Sequence, residues 1–96
     1  MEVVFRIEAV ISAEPNCWHV AGRAYANITV GDIVLAQLDP ISNNGDFTYL
    51  TVIAISTYGR SIDRLDRMLT GMLTVKGSEE TDLSMVPDLY RRTSED

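Results

Sequence analysis

Residues 20–36, VAGRAYANITVGDIVLA, break an apolar run with Gly22, Asn27 and Gly31, and that punctuation limits what the chain can build. Gly and Asn accept the positive φ angles that close turns between twisted strands require, whereas β-branched residues do not. Val20, Ile28, Val30, Ile33, Val34 and Leu35 fill the stretches between the breaks. The segment therefore predicts a strand, a tight turn, a brief strand, a second tight turn and a further strand. The turns are expected at Ala26-Asn27 and Gly31-Asp32, with the brief strand over residues 28–30 and the next over 33–38.

The flanking chain carries the same signals. Residues 2–11, EVVFRIEAVI, alternate with a period of two. Val3, Phe5, Ile7, Ala9 and Ile11 fall on one face, and Glu2, Val4, Arg6, Glu8 and Val10 on the other, which predicts a strand. Residues 12–16 predict a loop, because Pro15 cannot donate to a ladder. Residues 17–25 predict a second strand with Trp18, Val20, Gly22 and Ala24 on one face. The small Gly22 and Ala24 point to a sharp bend or a close backbone approach. Residues 39–46, DPISNNGD, predict a loop. Residues 47–56, FTYLTVIAIS, form the longest apolar β-branched run and predict a central strand.

Residues 57–67 are open to two readings. Ile62, Leu65, Met68, Leu69 and Met72 recur near helical spacing, and Ser61 could cap a short helix. Thr70, Gly71, Thr74 and Val75 favour a strand over 68–76. The expectation is a loop with one helical turn near 62–65, then that strand. Lys76-Gly77-Ser78 should end it, residues 79–83 should be acidic and exposed, and residues 85–90 should add a closing segment that Pro87 confines to an edge. Residues 91–96 are polar and expected to fray. Short strands and frequent turns in a chain of 96 residues make one all-β domain over 1–96, a small barrel or sandwich.

Charge narrows the partners. Fourteen acidic and 8 basic residues give a net charge of −6, which does not favour a phosphate backbone but leaves room for a few unpaired nucleotides. Cys17 has no second cysteine to pair with. The first residues, MEVVFRIEAV, lack a basic start and an apolar h-region, so no signal peptide is expected. No apolar run is long enough to cross a bilayer as a helix. The expectation is a cytoplasmic chain without a membrane partner.

At this point the order of motifs resembles the second domain of translational GTPases such as elongation factor Tu. That family carries a strand like residues 5–11, then a "TGR" and an "I-x-V-G-D-x-V". The matching positions are Ala21-Gly22-Arg23 and Ile28-Thr29-Val30-Gly31-Asp32-Ile33-Val34. Residues 51–68 resemble the family's next strand and "K-x-(L/V)-D-E-A" segment. Residues 69–83 resemble its "V-G-L-L-L-R-G" strand and exit. The chain departs from the family at Ala24-Tyr25-Ala26-Asn27 and at Leu65-Asp66-Arg67-Met68. It has no G-x-x-x-x-G-K-(S/T) phosphate loop. The resemblance implies a small closed antiparallel β-barrel, with Asn27 supplying the positive φ of a hairpin, and no GTP hydrolysis. In that family the barrel positions other parts, and in some members it receives the aminoacylated end of a transfer RNA.

Candidate chemistry is sparse. Cys17 and His19 would share a strand face, but two ligands are too few for a closed zinc site, and no third group is visible to orient a nucleophile. Asp63, Asp66, Glu79, Glu80 and Asp82 read as a solvated acidic face, and Trp18 as core. Arg23, Tyr58 and Arg60 are the one constellation that residue chemistry and resemblance both support. An aromatic face flanked by guanidinium groups can stack an unpaired base and pair with a phosphate. The plainer account has Arg23 bonded to a loop and Tyr58 packed on the rim. The expected function is a non-enzymatic binding module for a protein partner, without cofactor or metal. The alternative is a binder of a single-stranded RNA or transfer RNA end through Arg23, Tyr58 and Arg60. A homodimer through an apolar strand edge would be one form of the first.

Overall fold

The computed structural model describes residues 2–14, 16–37, 47–77 and 86–91. All of the regular structure in them is strand: β1 (Glu2–Glu14), β2 (Cys17–Ala24), β3 (Ile28–Thr29), β4 (Ile33–Gln37), β5 (Phe47–Thr57), β6 (Arg60–Ile62), β7 (Arg64–Leu65), β8 (Thr70–Lys76) and β9 (Asp88–Arg91). Every pairing is antiparallel. Going round the molecule, β1 pairs with β2, β2 with β8, β8 with β5, β5 with β4, β4 with β9, and β9 with β1 again. The sheet thus runs in a circuit, and β6 continues it only at the end of β5. β3 and β7 form a separate two-stranded ladder.

The inward faces of this circuit make the core. Val20 and Ala24 come from β2, Val34 and Ala36 from β4, Leu50, Val52 and Ile55 from β5, Leu73 and Val75 from β8, and Leu89 from β9. Burying these β-branched and leucine side chains against one another is the main favourable term for a domain of this size.

Strict alternation fails in β1, and β-bulges explain why. Ile7 pairs with Gly22 and Ala9 with Ala21, so Glu8 is extra; Val10 pairs with Val20 and Ser12 with His19, so Ile11 is extra. A bulge moves every later side chain to the other face. Val10 accordingly packs on the core, while Ile11 is 59% exposed. Against β9 the register slips again between Val3 and Phe5, and Val4 and Phe5 are both buried. β5 carries a similar slip between Val52 and Ala54, which lets Leu50, Val52 and Ile55 all face inward.

Gly22 is the close approach expected from its size. A Cβ there would lie 1.8 Å from the Arg6 carbonyl oxygen and 3.0 Å from a Phe5 ring carbon. The Val30-Gly31-Asp32 turn is a hub of backbone bonds. Gly31 takes φ 101° and donates its N–H to the Val52 carbonyl at 2.7 Å. The Val52 N–H donates to the Asp32 carbonyl at 2.9 Å, and the Asp32 carboxylate accepts the Thr29 N–H at 2.8 Å. The turn is thereby pinned to β5 beside its bulge.

Several expectations need correction. β2 and β3 do not form a hairpin; β3 pairs with β7, Ile28 opposite Leu65. Asn27 does not supply a positive φ, which falls instead on Asn16, Tyr58 and Met68 among the described non-glycine residues. Its side-chain oxygen accepts the Arg67 N–H at 2.9 Å, holding the segment before β8. No helical turn forms near residues 62–65, because β6 and β7 occupy them and only Leu65 of that apolar set is fully buried along with Leu73 and its neighbours in the core. Met68 and Leu69 point out, since their backbones are bonded to Ala24. Pro87 does not put β9 at an edge: it precedes the strand, its carbonyl accepts the Ile7 N–H at 2.8 Å, and β9 has neighbours on both sides. Arg91 belongs to β9 and pairs with Glu2 at 2.9 Å instead of opening a frayed tail. The expectations for residues 39–46, 79–83 and 92–96 concern positions outside the described residues.

Gly22→Ala should cost about 3 kcal/mol or more in urea unfolding followed by circular dichroism, because the clash is with backbone that cannot move aside. Gly31→Ala, which meets nothing within 4 Å, should cost only the backbone strain of about 1 kcal/mol. Equal losses at the two sites would contradict the close approach.

Candidate functional site

The chain turns from β5 to β6 through Tyr58-Gly59, with Thr57 paired to Arg60 across the turn. Tyr58 has φ 51° and Gly59 φ 77°. Positive φ at both central residues is the signature of the type I′ hairpin turn, in which Asn-Gly is the preferred pair. Here a tyrosine takes the Asn position, at a backbone cost of about 1 kcal/mol. Its side chain gains nothing in return from the fold, for it is 94% exposed.

Beside this turn lies an open groove of about 410 Å³. Ala21, Gly22, Gly71 and Met72 of β2 and β8 line it, along with Ser56, Thr57, Tyr58 and Gly59 of the hairpin. Glu8 and Thr70 complete it. The Thr57 hydroxyl donates to the Thr70 carbonyl at 3.1 Å, tying the hairpin to β8. A Cβ on Gly71 would stand 3.0 Å from the Ser56 carbonyl oxygen, so a glycine keeps β8 tight against β5 there.

The structure places the three sequence-predicted residues at one end of the sheet without gathering them round the groove. Tyr58 lines it; Arg23 and Arg60 do not. Arg23 is exposed on β2 between the buried Gly22 and Ala24, opposite Arg6 and Thr70. Arg60 is exposed at the start of β6. Arg6, which faces Arg23 across the ladder, is neutralised elsewhere. It donates to Asp88 at 3.2 Å and lies over the Tyr25 ring at 5.7 Å. The hydrogen bond to Asp88, then the field of Tyr25, then the Asp88 charge raise its pKa above the usual arginine value. Arg64 and Arg91 are likewise paired with Asp66 and Glu2, whereas Arg23 and Arg60 have no acid partner among the described residues.

Glu8 is the residue that sequence reasoning missed. The alternation puts it on one strand face with Glu2, Val4, Arg6 and Val10, and nothing there marks it as the extra residue of a bulge. Of the other candidates, His19 Nδ1 sits 3.0 Å from the Thr74 hydroxyl, and Cys17 is half-buried and free. Among the described residues no group of three His, Cys, Asp or Glu side chains could hold a metal ion. Trp18 packs against the core as expected, with its indole N–H buried and unpartnered among the described residues. A smaller hollow of about 190 Å³, lined by Ile33, Leu35, Tyr49 and Arg91, lies on the outer face of β4 and β5.

No protein-family model, curated protein or solved structure matches this chain. No helix among the described residues is long and apolar enough to cross a membrane.

Since Tyr58 sits at positive φ with no contacts to lose, Tyr58→Gly should stabilise the domain by about 1 kcal/mol in urea unfolding. Tyr58→Ala, which keeps the backbone cost, should fall within about 0.5 kcal/mol of the parent. A clear loss in either variant would mean that Tyr58 packs on the fold after all.

Proposed function

We propose that this chain is a non-enzymatic binding module, a small antiparallel barrel of the translation-factor type that docks on a protein partner. The circuit of antiparallel strands and the Gly22 and Val30-Gly31-Asp32 features, which occupy the motif positions of that family, support the barrel type. One observation carries the binding role: an aromatic side chain, 94% exposed, is held at a strained hairpin turn beside a groove. Strain of this kind persists where a surrounding structure enforces it, and such positions cluster at sites of contact. A tyrosine offers a large, stiff, amphipathic contact at little entropic cost, which suits a protein interface. The net charge of −6 and the Glu8 carboxylate in the groove favour a protein surface over a phosphate chain. The link to translation is what the resemblance implies; the cytoplasmic setting is the expectation drawn from a sequence whose one cysteine has no second to pair with.

The second reading, an RNA or transfer RNA end held by Arg23, Tyr58 and Arg60, has one observation in its favour. The two arginines lack acid partners among the described residues and flank the same hairpin end of the sheet.

A photo-crosslinking phenylalanine derivative at position 58, irradiated in the source cell, separates the two. The protein-partner reading expects a discrete adduct that survives nuclease and is lost to protease, and a doubling of the chain's own mass would identify a second copy. An adduct that nuclease removes would transfer the function to RNA. Absence of any adduct, with the same probe at exposed Ile11 as background, would remove both.

A further inference from the structure

We propose that the groove beside Tyr58 receives one basic side chain, an arginine or a lysine, from an extended segment of the partner protein; this rests on the protein-partner reading above. The decisive feature is Glu8. It is the residue the first bulge of β1 adds, between Ile7 opposite Gly22 and Ala9 opposite Ala21. A bulge re-aims the side chain it adds, and this one lines the groove. Among the groups lining the groove, the Glu8 carboxylate is the one formal charge. It has no cation partner among the described residues. A lone carboxylate repels phosphate and attracts a cation, and the net charge of −6 extends that attraction beyond the groove.

The remaining lining fits the rest of such a side chain. Gly22, Gly71 and Met72 offer low, apolar ground for a methylene stem. Tyr58 places a ring at the rim, where a guanidinium or ammonium group gains a cation–π contact as well as the carboxylate. Arginine should be preferred to lysine, since its planar fork can stack on the ring and still donate to a carboxylate. Arg23 and Arg60 lie outside the lining, and so would face the partner's backbone or acids beside the seated cation.

The test is an amide-shift titration of the isotopically labelled chain with the capped tripeptide Gly-Arg-Gly, and with Gly-citrulline-Gly, which keeps the shape and loses the charge. The arginine peptide should shift the amides of Glu8, Gly22, Tyr58, Gly59 and Gly71 as one saturable set. The citrulline peptide should bind about tenfold more weakly. Glu8→Gln should weaken the arginine peptide about tenfold, while Asp63→Asn, which removes the same charge outside the groove, should stay within about twofold. Spectra of both variants must retain the parent's dispersion; if Glu8→Gln does not, Glu8→Asp replaces it, with an intermediate loss expected. Equal binding of the two peptides, shifts scattered over the surface, or indifference to Glu8 would overturn the inference. So would a uridine hexanucleotide that shifts these amides where the arginine peptide does not. A failed titration alongside a protein adduct at position 58 would sink the basic side chain and leave the partner-binding reading standing.

Discussion

The contact between Gly22 and the Arg6 carbonyl sets the geometry for the remainder of the molecule. β1 and β2 can close to this distance because β2 has no side chain at that point. On either side of this pair β1 is bonded to β9 and β2 to β8, so the close approach lies in the middle of the run β9, β1, β2, β8. A strand pair kept at ordinary spacing would continue as a flatter sheet. The two bulges that follow in β1 add twist at the same corner, which is what a sheet needs to curve back on itself.

With the sheet curved, the other devices have clear roles. The Val30-Gly31-Asp32 turn bonds to Val52, the residue at which the register of β5 against β8 begins to slip. Leu65, buried beneath Gly71, fastens the small β3–β7 ladder to the main sheet. Asn27 and Arg91 join the same region, the arginine donating to the Asn27 carbonyl at 3.2 Å while also holding Glu2. Most of these ties are single hydrogen bonds of modest worth, so the core supplies the stability and the ties supply the register.

Much of the fold was legible because it depends on side-chain period and on residues with unusual backbone freedom. Gly22 announced a close approach and Gly31 a turn, and both do what their chemistry allows. The failures have physical causes. A bulge leaves no mark in a run such as Arg6-Ile7-Glu8-Ala9, where either register keeps an apolar face, so Val10 and Ile11 were assigned to the wrong faces. Asn27 looked like a turn former, but its amide does more as a hydrogen-bond acceptor for Arg67 than as a residue at positive φ. Apolar residues from Ile62 to Met72 mimicked a helix because two short strands and a bend happen to space them so. At the site, Tyr58 could be picked out but its companions could not. Arg23 and Arg60 were legible as charges, while the groove itself is made by residues from β1, β2, β5 and β8 that only the fold brings together.

The position of β9 bears on how the molecule comes into being. Residues 88–91 fill the gap between β1 and β4, so β1 must wait for a strand that is made after all the other described strands. On a ribosome, β1 and β2 can pair as soon as they emerge, yet the circuit of strands stays open along one seam until β9 follows them. During that interval β1 lacks its β9 neighbour, so apolar surface at Val4 and Phe5, which the folded domain buries, stays open to the wrong contacts.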